Sequence, residues 1–237
     1  MRVINLVDRL DRVNFGIWNA AIATAAALKE DHGIDSEVWF PAETRQAKDA
    51  ELNGALPRPL KRLDTAGQRE AATAAGLDPA SDIILSHGCW QYPTRWGRAF
   101  RRQGFTWIAT PHGMLESWSV SQKRLRKAVY FHLLEKPALK RADRIRAVGR
   151  PEFDKLCQLF GDRLTTWLPN GVPGVPEIPP KPDGMSFLFM ARLHHKKGVL
   201  ALVEGWNASS LRNRDGVQLK IAGPDDGGRD AAMLRLL

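Results

Sequence analysis

The sequence predicts an α/β fold built around a parallel β-sheet, and three observations lead to this prediction. Short β-rich runs alternate with helical patterns from the first residue onward, as they do in consecutive βαβ units. The chain is 43% hydrophobic and 26% charged, as in an ordinary globular protein, which excludes disorder and collagen-like repeats. The alternation restarts after a proline- and glycine-rich stretch, so the 237 residues are expected to form two units.

The first elements follow from local composition. Residues 3–7 form an apolar run that predicts a buried strand, and the alanine-rich residues 17–29 have helical propensity throughout. Residues 37–40 predict a second strand, which a proline ends. The polar residues 42–65 contain two further prolines and are expected to be loop with little regular structure.

The remainder of the first unit repeats this rhythm. Its predicted elements are a helix at 68–75, a strand at 82–86, a helix at 94–102, a strand at 105–109, a long basic helix at roughly 120–141, a strand at 144–148, a helix at 151–160 and a strand at 164–168. Pro137 is expected to break or kink the long basic helix, whereas Pro151 stands in the first turn of its helix, where proline is tolerated.

A linker is predicted at residues 173–184, because proline and glycine dominate this stretch. It separates a first domain at residues 1–172 from a second at residues 185–237. The second domain is predicted to hold a strand at 185–191, a helix at 198–206, a strand at 217–222 and the start of a helix at 230–237. Two strands bury too little surface for a stable domain, so we expect residues 185–237 to be part of a larger one.

Composition also limits where the protein resides and what it binds. No run reaches the roughly 18 consecutive apolar residues of a membrane-spanning helix, and the N-terminus lacks the apolar core of a signal peptide. The protein is therefore expected to be cytoplasmic. Cys89 and Cys157 are too few and too far apart for a disulfide framework or a zinc site, and we interpret both as small buried apolar residues.

Positive charge is concentrated in one internal segment. Residues 90–150 hold 14 Lys and Arg against three acidic residues, a net charge of +11, whereas the rest of the chain carries −2. This asymmetry favours a surface that faces phosphates, lipid head groups or nucleic acid. The alternative interpretation is a helix face that is merely solvated.

Glycines and histidines follow the predicted strands at the positions where parallel sheets bind ligands. Gly16 stands where the first strand passes into a helix, and the free N–H groups of that helix start are suited to an anion, although a plain tight turn explains the glycine equally well. His87 and His112 each end an apolar strand and precede a glycine. A single histidine there is more often structural, but two on neighbouring strands favour a site, and Pro111 stiffens the loop of His112.

Two cations follow the first strand of the second unit. Arg192 and Lys197 stand next to a predicted helix start, where they could neutralise a diphosphate, and Gly223 follows the next strand at the same level. A solvated basic loop is the alternative. The chain holds no G-x-G-x-x-G motif, so binding of a nicotinamide dinucleotide is not supported.

In this order, the motifs resemble those of family 4 of the glycosyltransferases, which have the two-domain GT-B fold. The resemblance spans essentially the whole chain and rests on Thr110 to Leu115, Leu168 to Val172, Ala191 to Leu193 with Lys197 and Gly198, and Ile221 to Pro224. It implies a complete N-terminal Rossmann-like domain on the acceptor side, followed by an incomplete Rossmann-like donor domain.

The resemblance also implies roles for individual residues. Arg192 and Lys197 would hold the donor diphosphate with Gly223 nearby, Gly16 would lie close to the donor phosphates, and His112 would contact the donor sugar near the reacting carbon. Transfer would retain the anomeric configuration and need neither a metal nor another cofactor. The absence of an Asp-x-Asp motif agrees with this expectation.

The sequence departs from the family pattern in ways that affect activity. Family members carry two glutamates eight residues apart in the second half of the C-terminal domain, and no such pair follows Gly223 here. Gly149 stands where many members have a serine, and the loop at Gly16 is poorer in glycine. We expect a fragment, inactive alone, of an enzyme that transfers sugar from a nucleotide-sugar donor to a saccharide or lipid-linked acceptor. Bacterial surface polysaccharide or glycolipid synthesis, at the inner face of the plasma membrane, is the expected setting.

Two other functions compete with this prediction. The first is a non-catalytic remnant that binds phosphates or a membrane. The second is a nucleic-acid binder whose aromatic residues interleave with arginines in the basic segment; the aromatic residues are Trp90, Tyr92, Trp96, Phe100, Phe105 and Trp107. The regular strand and helix pattern assigns most of these side chains to the core, so no nucleic-acid partner is expected.

Overall fold

A computed structural model describes residues 1–115, 128–172, 184–191, 193 and 197–224 of the chain. It divides into two compact units, Met1–Gly174 and Val175–Leu237, which are described separately below. Within the described ranges, no helix is both long enough and apolar enough to span a bilayer.

The first unit contains a seven-stranded sheet in which every neighbouring pair is parallel. The strands are β1 (Arg2–Val7), β2 (Asp35–Pro41), β3 (Leu56–Leu60), β4 (Ile83–His87), β5 (Thr106–Thr110), β6 (Arg144–Ala147) and β7 (Thr165–Trp167). Their spatial order is β3-β2-β1-β4-β5-β6-β7. The order reverses direction between β1 and β4, and in open parallel sheets such a reversal marks the ligand-binding edge.

Helices cover both faces of this sheet. They are α1 (Phe15–Ile22), α2 (Ala25–His32), α3 (Thr65–Ala74), α4 (Tyr92–Arg102), α5 (Lys136–Leu139) and α6 (Arg150–Phe160). On one face, Trp39 and Trp107 are fully buried against Trp96 and Phe100 of α4. On the other, Val38 and other apolar strand residues pack against α1. Burial of these large side chains on both faces explains the continuous apolar runs of the strands.

The aromatic residues of the basic segment belong mainly to this core. Tyr92, Trp96, Phe100, Phe105 and Trp107 are all buried, so they are unavailable to stack on nucleic-acid bases. Gly97 lets α4 approach β5, because a Cβ at this position would overlap the Trp107 indole.

The predicted helix at 17–29 is instead two helices. α1 ends at Ile22 and α2 begins at Ala25. The Asn53 side chain donates hydrogen bonds to the carbonyl oxygens of Ile22 and Ala23, at 3.1 and 2.9 Å. These bonds satisfy carbonyls that a continuous helix would have paired internally. The break is therefore held by a residue some thirty positions away, which local helix propensity does not reveal.

The prediction that residues 42–65 lack regular structure was wrong. Two short 3-10 turns, Ala42–Thr44 and Asp49–Leu52, precede the edge strand β3. β3 contains Pro57 and Pro59, which are two positions apart, so the N–H groups they lack would point to the same side of the strand. That side is the free edge, because β3 pairs with β2 along its other side.

The predicted basic helix is described only from residue 128 onward, and residues 120–127 of it lie outside the described ranges. A π-helical turn, Phe131–Glu135, comes immediately before α5. Pro137 stands at the start of α5, so the wider turn accommodates the backbone donor that proline lacks. The helix continues through the proline with an altered pitch, which agrees with the expected irregularity at this position.

The second unit contains β8 (Met185–Met190), α7 (Val199–Ala208) and β9 (Val217–Ala222). β8 and β9 pair in parallel over their full length, from Met185 opposite Val217 to Met190 opposite Ala222. Phe187 packs against Trp206 of α7 with ring centroids 5.7 Å apart. Several apolar side chains of β8 are nonetheless exposed, including Leu188 at 62% and Met190 at 78%. The predicted helix at 230–237 lies outside the described residues.

Candidate functional site

The candidate site lies at the carboxyl end of β4 and β5, where the two predicted histidines meet. Parallel pairing places Val7 beside His87 and His87 beside Thr110, so the last residues of β1, β4 and β5 share one edge. His112 follows Thr110 by two residues and folds back onto His87. The distance between His87 Nδ1 and His112 Nε2 is 2.9 Å, and the two rings are stacked with centroids 5.2 Å apart.

The loop that carries His112 has an unusual backbone. His112 has a φ of 54° and the following Gly113 a φ of 72°, so two consecutive residues are left-handed. A non-glycine residue in this region is uncommon and must be held by its surroundings. Glu152 provides one such restraint, because its Oε1 accepts a hydrogen bond from the Gly113 N–H at 2.6 Å.

Asn5 determines the tautomers of both histidines. Its Nδ2 donates to the Glu37 carbonyl oxygen at 3.2 Å, so its Oδ1 is the atom that faces His87 Nε2 at 3.1 Å. Because Oδ1 can only accept, Nε2 of His87 carries the proton and Nδ1 of that neutral ring is an acceptor. His112 must then donate from Nε2, which leaves a lone pair on its Nδ1.

Both imidazoles are held in the neutral form. Burial lowers the pKa of His87 well below its ordinary value, and the nearby His112 and Arg146 lower it further. Burial, followed by the charge of Arg146, lowers the pKa of His112 from 6.5 to about 4. At neutral pH, His112 therefore offers a hydrogen-bond acceptor at Nδ1 but is a weak base.

Arg146 and Glu152 form the frame around the histidine pair. The Arg146 guanidinium donates to the carbonyl oxygens of Leu168 and Pro169 and to Asn170 Oδ1, at 2.9, 2.8 and 3.1 Å. Burial lowers the pKa of Arg146, and Glu152 opposes that effect. Glu152 Oε2 also accepts from the Val148 N–H at 2.9 Å. These contacts tie the loops after β5, β6 and β7 together.

A groove of about 440 Å³ runs along the sheet face beside this frame. Asn5 and Arg146 line it together with apolar residues such as Leu85 and Ile108. It offers room for a ligand next to the residues that orient the histidines.

Gly16 lies in the first turn of α1 and is exposed. The helix start has no side-chain cap, since Asn14 makes no capping hydrogen bond. A Cβ at Gly16 would meet nothing within 4 Å, so the protein itself does not require glycine here. The uncapped helix start and the open space beside Gly16 fit a ligand-binding position, and they fit a simple exposed turn equally well.

Two of the three predicted site residues of the second unit lie in the described ranges. Lys197 is exposed immediately before α7, and Gly223 follows β9. The Ala191 N–H donates to the Ala222 carbonyl oxygen and the Leu193 N–H to the Pro224 carbonyl oxygen, at 3.1 and 2.9 Å. The loops after β8 and β9 therefore meet at one edge. Arg192 lies outside the described residues.

Sequence reasoning missed three residues of the site: Asn5, Arg146 and Glu152. Asn5 is a polar residue inside an apolar strand, and Arg146 is a charged one inside another, and each is a recognisable signal because buried polar groups need partners. Glu152 had no local signal, since its partners are backbone N–H groups of two different loops. Within the described residues, no group of three or more His, Cys, Asp or Glu is arranged to hold a metal ion.

Comparison with known proteins supplies a family match. The family model of the glycosyl transferase 4-like domain matches residues 15–171, a range that contains both site histidines, Arg146 and Glu152. No curated protein sequence matches the chain.

Solved structures show the same fold at low sequence identity. HepE of Anabaena, determined in complex with UDP and glucose, has a TM-score of 0.67 at 15% identity, covering 100% of this chain and 64% of its own. A putative UDP-N-acetylglucosamine 2-epimerase of Listeria monocytogenes has a TM-score of 0.57 at 17% identity. The match covers 98% of this chain and 65% of the epimerase chain. The lipopolysaccharide outer core galactosyltransferase WaaB, in its apo form, has a TM-score of 0.56 at 16% identity, covering 100% and 65%.

These likenesses confirm the predicted GT-B-like fold with Rossmann-like parallel sheets. The chain spans about 64% of the length of the HepE chain. It therefore corresponds to part of that two-domain architecture.

Proposed function

Because the chain belongs to the glycosyl transferase 4-like domain family, we propose that it takes part in the transfer of a sugar from a nucleotide-sugar donor to an acceptor. The observation that carries this proposal is the family match over residues 15–171, which encloses the histidine pair at the sheet edge. The structure of HepE in complex with UDP and glucose supports a nucleotide-sugar as the donor.

His112 is proposed to orient the donor sugar rather than to remove a proton. Its lone pair at Nδ1 can accept a hydrogen bond from a sugar hydroxyl, and its pKa of about 4 makes it a poor general base at neutral pH. Asn5 fixes the tautomer of His87, and His87 in turn fixes the tautomer of His112, so the lone pair stays on His112 Nδ1. This role is consistent with a reaction that depends on positioning and charge stabilisation.

Gly16, Arg192, Lys197 and Gly223 are proposed as the residues that bind the donor phosphates. Gly16 and Gly223 would let phosphates or a ring approach the backbone, while Arg192 and Lys197 would neutralise the diphosphate. The motif resemblance supports these assignments. Transfer with retention of anomeric configuration and without a metal cofactor is part of the same proposal.

The acceptor is proposed to be a saccharide or a lipid-linked saccharide in bacterial surface polysaccharide or glycolipid assembly. The net charge of +11 over residues 90–150 supports a position next to an anionic membrane surface, because basic residues are attracted to acidic head groups. Residues 116–127 of this segment lie outside the described ranges.

A donor screen tests the proposal. UDP-, GDP- and ADP-activated hexoses are incubated with residues 1–237 and with an extended protein, in which the C-terminal part of WaaB follows these residues. We expect the extended protein to turn over one donor and residues 1–237 alone to show no transfer. Product formation by mass spectrometry is the readout. Donor binding without turnover in the extended protein would instead favour the non-catalytic, phosphate-binding alternative.

The variant His112→Ala tests the assigned role within the extended protein. Loss of one hydrogen bond to the sugar should reduce turnover by about tenfold or more, since such a bond contributes about 1–2 kcal/mol. Binding of the bare nucleoside diphosphate, measured by calorimetry, should not change. His32→Ala, on the exposed end of α2, is the matched control. Wild-type turnover in His112→Ala would show that His112 has only a structural role.

A further inference from the structure

A second pocket, distinct from the histidine site, lies along the outer surface of α4. It has a volume of about 430 Å³ and is lined by Arg95, Arg98 and Arg102 of α4, Arg69 of α3, and residues of the helical segment that leads into α5. We call it the arginine groove. Neither His87 nor His112 lines it.

The positive charges of the arginine groove are only partly offset by the acids that the structure describes, since Arg95 interacts electrostatically with Asp8 and Glu135. Arg95, Arg98 and Arg102 recur at helical spacing on one face of α4, so their guanidinium groups share one surface. Within the part of the chain that the structure describes, none of the three forms an ion pair, whereas Arg101 on another side of the helix pairs with Asp143 at 2.9 Å. The Nε of Arg98 is buried and has no hydrogen-bond partner among the described residues. Burial and then the charges of Arg102 and Arg141 lower the pKa of Arg98.

Glu135 lines the groove and offsets only part of its positive charge, by its electrostatic interaction with Arg95. Glu135 is 2% exposed and accepts hydrogen bonds from the Trp90 N–H at 3.0 Å and the Thr94 hydroxyl at 2.7 Å. Its carboxylate is thus committed to holding the loop after β4 against the helical segment. One such carboxylate against four arginines leaves a strong positive potential in the groove, which an anion would offset.

Apolar side chains adjoin these cations. Leu134 lines the groove and is 52% exposed, and Leu133 and Val129 on the same helical segment are 69% and 58% exposed. The partly buried Arg98 and the exposed Arg95 and Arg102 lie next to exposed aliphatic side chains. This arrangement matches a ligand that has a phosphate at one end and a hydrocarbon at the other.

We propose that the arginine groove binds a phosphate group, with Arg98 and Arg102 as its principal donors and Leu133 and Leu134 in contact with the hydrocarbon to which the phosphate is attached. The ligand is therefore a lipid phosphate. Its identification as the acceptor of sugar transfer rests on the proposed function, whereas the phosphate site itself stands on the groove alone. Guanidinium groups suit this ligand, since their paired N–H donors match phosphate oxygens.

Binding measurements on residues 1–237 test the site. The probes are inorganic pyrophosphate, and vesicles of phosphatidylcholine with and without phosphatidic acid. We expect pyrophosphate to raise the thermal midpoint of unfolding of the wild-type chain, and phosphatidic acid vesicles to bind it. The double variant Arg98→Ala, Arg102→Ala should bind both probes at least about tenfold more weakly, because each arginine contributes charge-assisted hydrogen bonds.

A charge-matched control separates the groove from the overall charge. Lys61→Ala, Arg163→Ala removes two exposed positive charges elsewhere in the first unit and should bind both probes as the wild type does. Circular dichroism verifies that each variant is folded. The proposal is overturned if the groove variant and the control variant bind the two probes equally well.

A double variant of the two leucines distinguishes a lipid phosphate from a free phosphate. Leu133→Ser, Leu134→Ser should bind pyrophosphate as before but lose binding to phosphatidic acid vesicles. Pyrophosphate binding without any vesicle binding by the wild type would overturn the lipid assignment. None of these measurements requires sugar transfer, so the failure of the phosphate site and the failure of the proposed enzymatic function are distinguishable.

Discussion

At the scale of single residues, Asn5 controls the protonation pattern of the site through one side chain. Asn5→Asp would place a negative charge next to His87 Nε2, where Asn5 Oδ1 now lies at 3.1 Å. We expect the pKa of His87 to rise markedly, since a close opposite charge favours the imidazolium form. NMR titration of the histidine ring protons measures this change. Asn5→Leu, which introduces no charge, is the control. An unchanged titration of His87 in Asn5→Asp would contradict the contact between residue 5 and His87 Nε2.

The histidine pair also predicts how stability depends on pH. Below pH 6.5 the unfolded chain protonates His112, whereas the folded chain does so only near its pKa of about 4. The unfolded state therefore binds more protons in this window, and the free energy of unfolding falls as pH decreases through it, by about 3 kcal/mol for His112. His87 acts in the same direction, because its pKa is lowered too.

Urea unfolding at several pH values tests this dependence. In His112→Asn, the free energy of unfolding should decrease less between pH 6.5 and 4 than in the wild type. Asparagine is chosen because it tolerates the left-handed backbone at this position. His32→Asn, on the exposed end of α2, serves as the control. An identical pH dependence in wild type and His112→Asn would show that His112 is not held neutral by the fold.

At the scale of elements, the contact between α4 and β5 depends on Gly97. Gly97→Ala would force its Cβ into the Trp107 indole, whose Nε1 donates to Ser86 Oγ at 2.9 Å. We expect a loss of about 1–3 kcal/mol in the free energy of unfolding, because the core has no spare volume there. The substitution Trp107→Phe replaces the indole with a smaller ring. It should lower the free energy of unfolding less in Gly97→Ala than in the wild type. Additive effects in this double-mutant cycle would contradict direct overlap.

The elements that sequence reasoning identified are those whose signal is local. β1, β4 and β5 are short apolar runs followed by loop residues, and each lies near its predicted position. β3 was missed because prolines normally exclude a strand, and only its place at the edge of the sheet makes them acceptable. The break between α1 and α2 depends on Asn53, a contact that propensity over a short window does not contain.

The same distinction between local and non-local signals applies to the candidate site. His87 and His112 were identified because their strands end beside each other, which sequence spacing predicts for a parallel sheet. Their tautomers follow from Asn5, and their neutral charge follows from burial and, to a smaller extent, from Arg146 in another strand. Strand pairing brings these residues together, so their cooperation was not predictable from local composition. Arg192 lies outside the described residues, and the diphosphate clamp stays a prediction.

At the scale of the whole molecule, the two units differ in how well their strands are covered. β1 and β2 of the first unit are buried along most of their length, whereas β8 exposes Met185, Leu188 and Met190. We expect backbone amides in β8 and β9 to exchange with deuterium faster than those in β1, because few apolar contacts oppose local opening. Hydrogen exchange with mass spectrometry provides the measurement. The same strands should be better protected in the extended protein, and equal protection of β8 and β1 in residues 1–237 would contradict this expectation.

The prolines of β3 have a consequence for self-association. A strand from a second copy that approached the free edge between Leu56 and Leu60 would find carbonyl oxygens but no backbone donors from Pro57 or Pro59. It could not form the ladder that joins one sheet to another. The two prolines thus disfavour addition of a further strand at this end of the folded sheet, and so disfavour edge-to-edge aggregation.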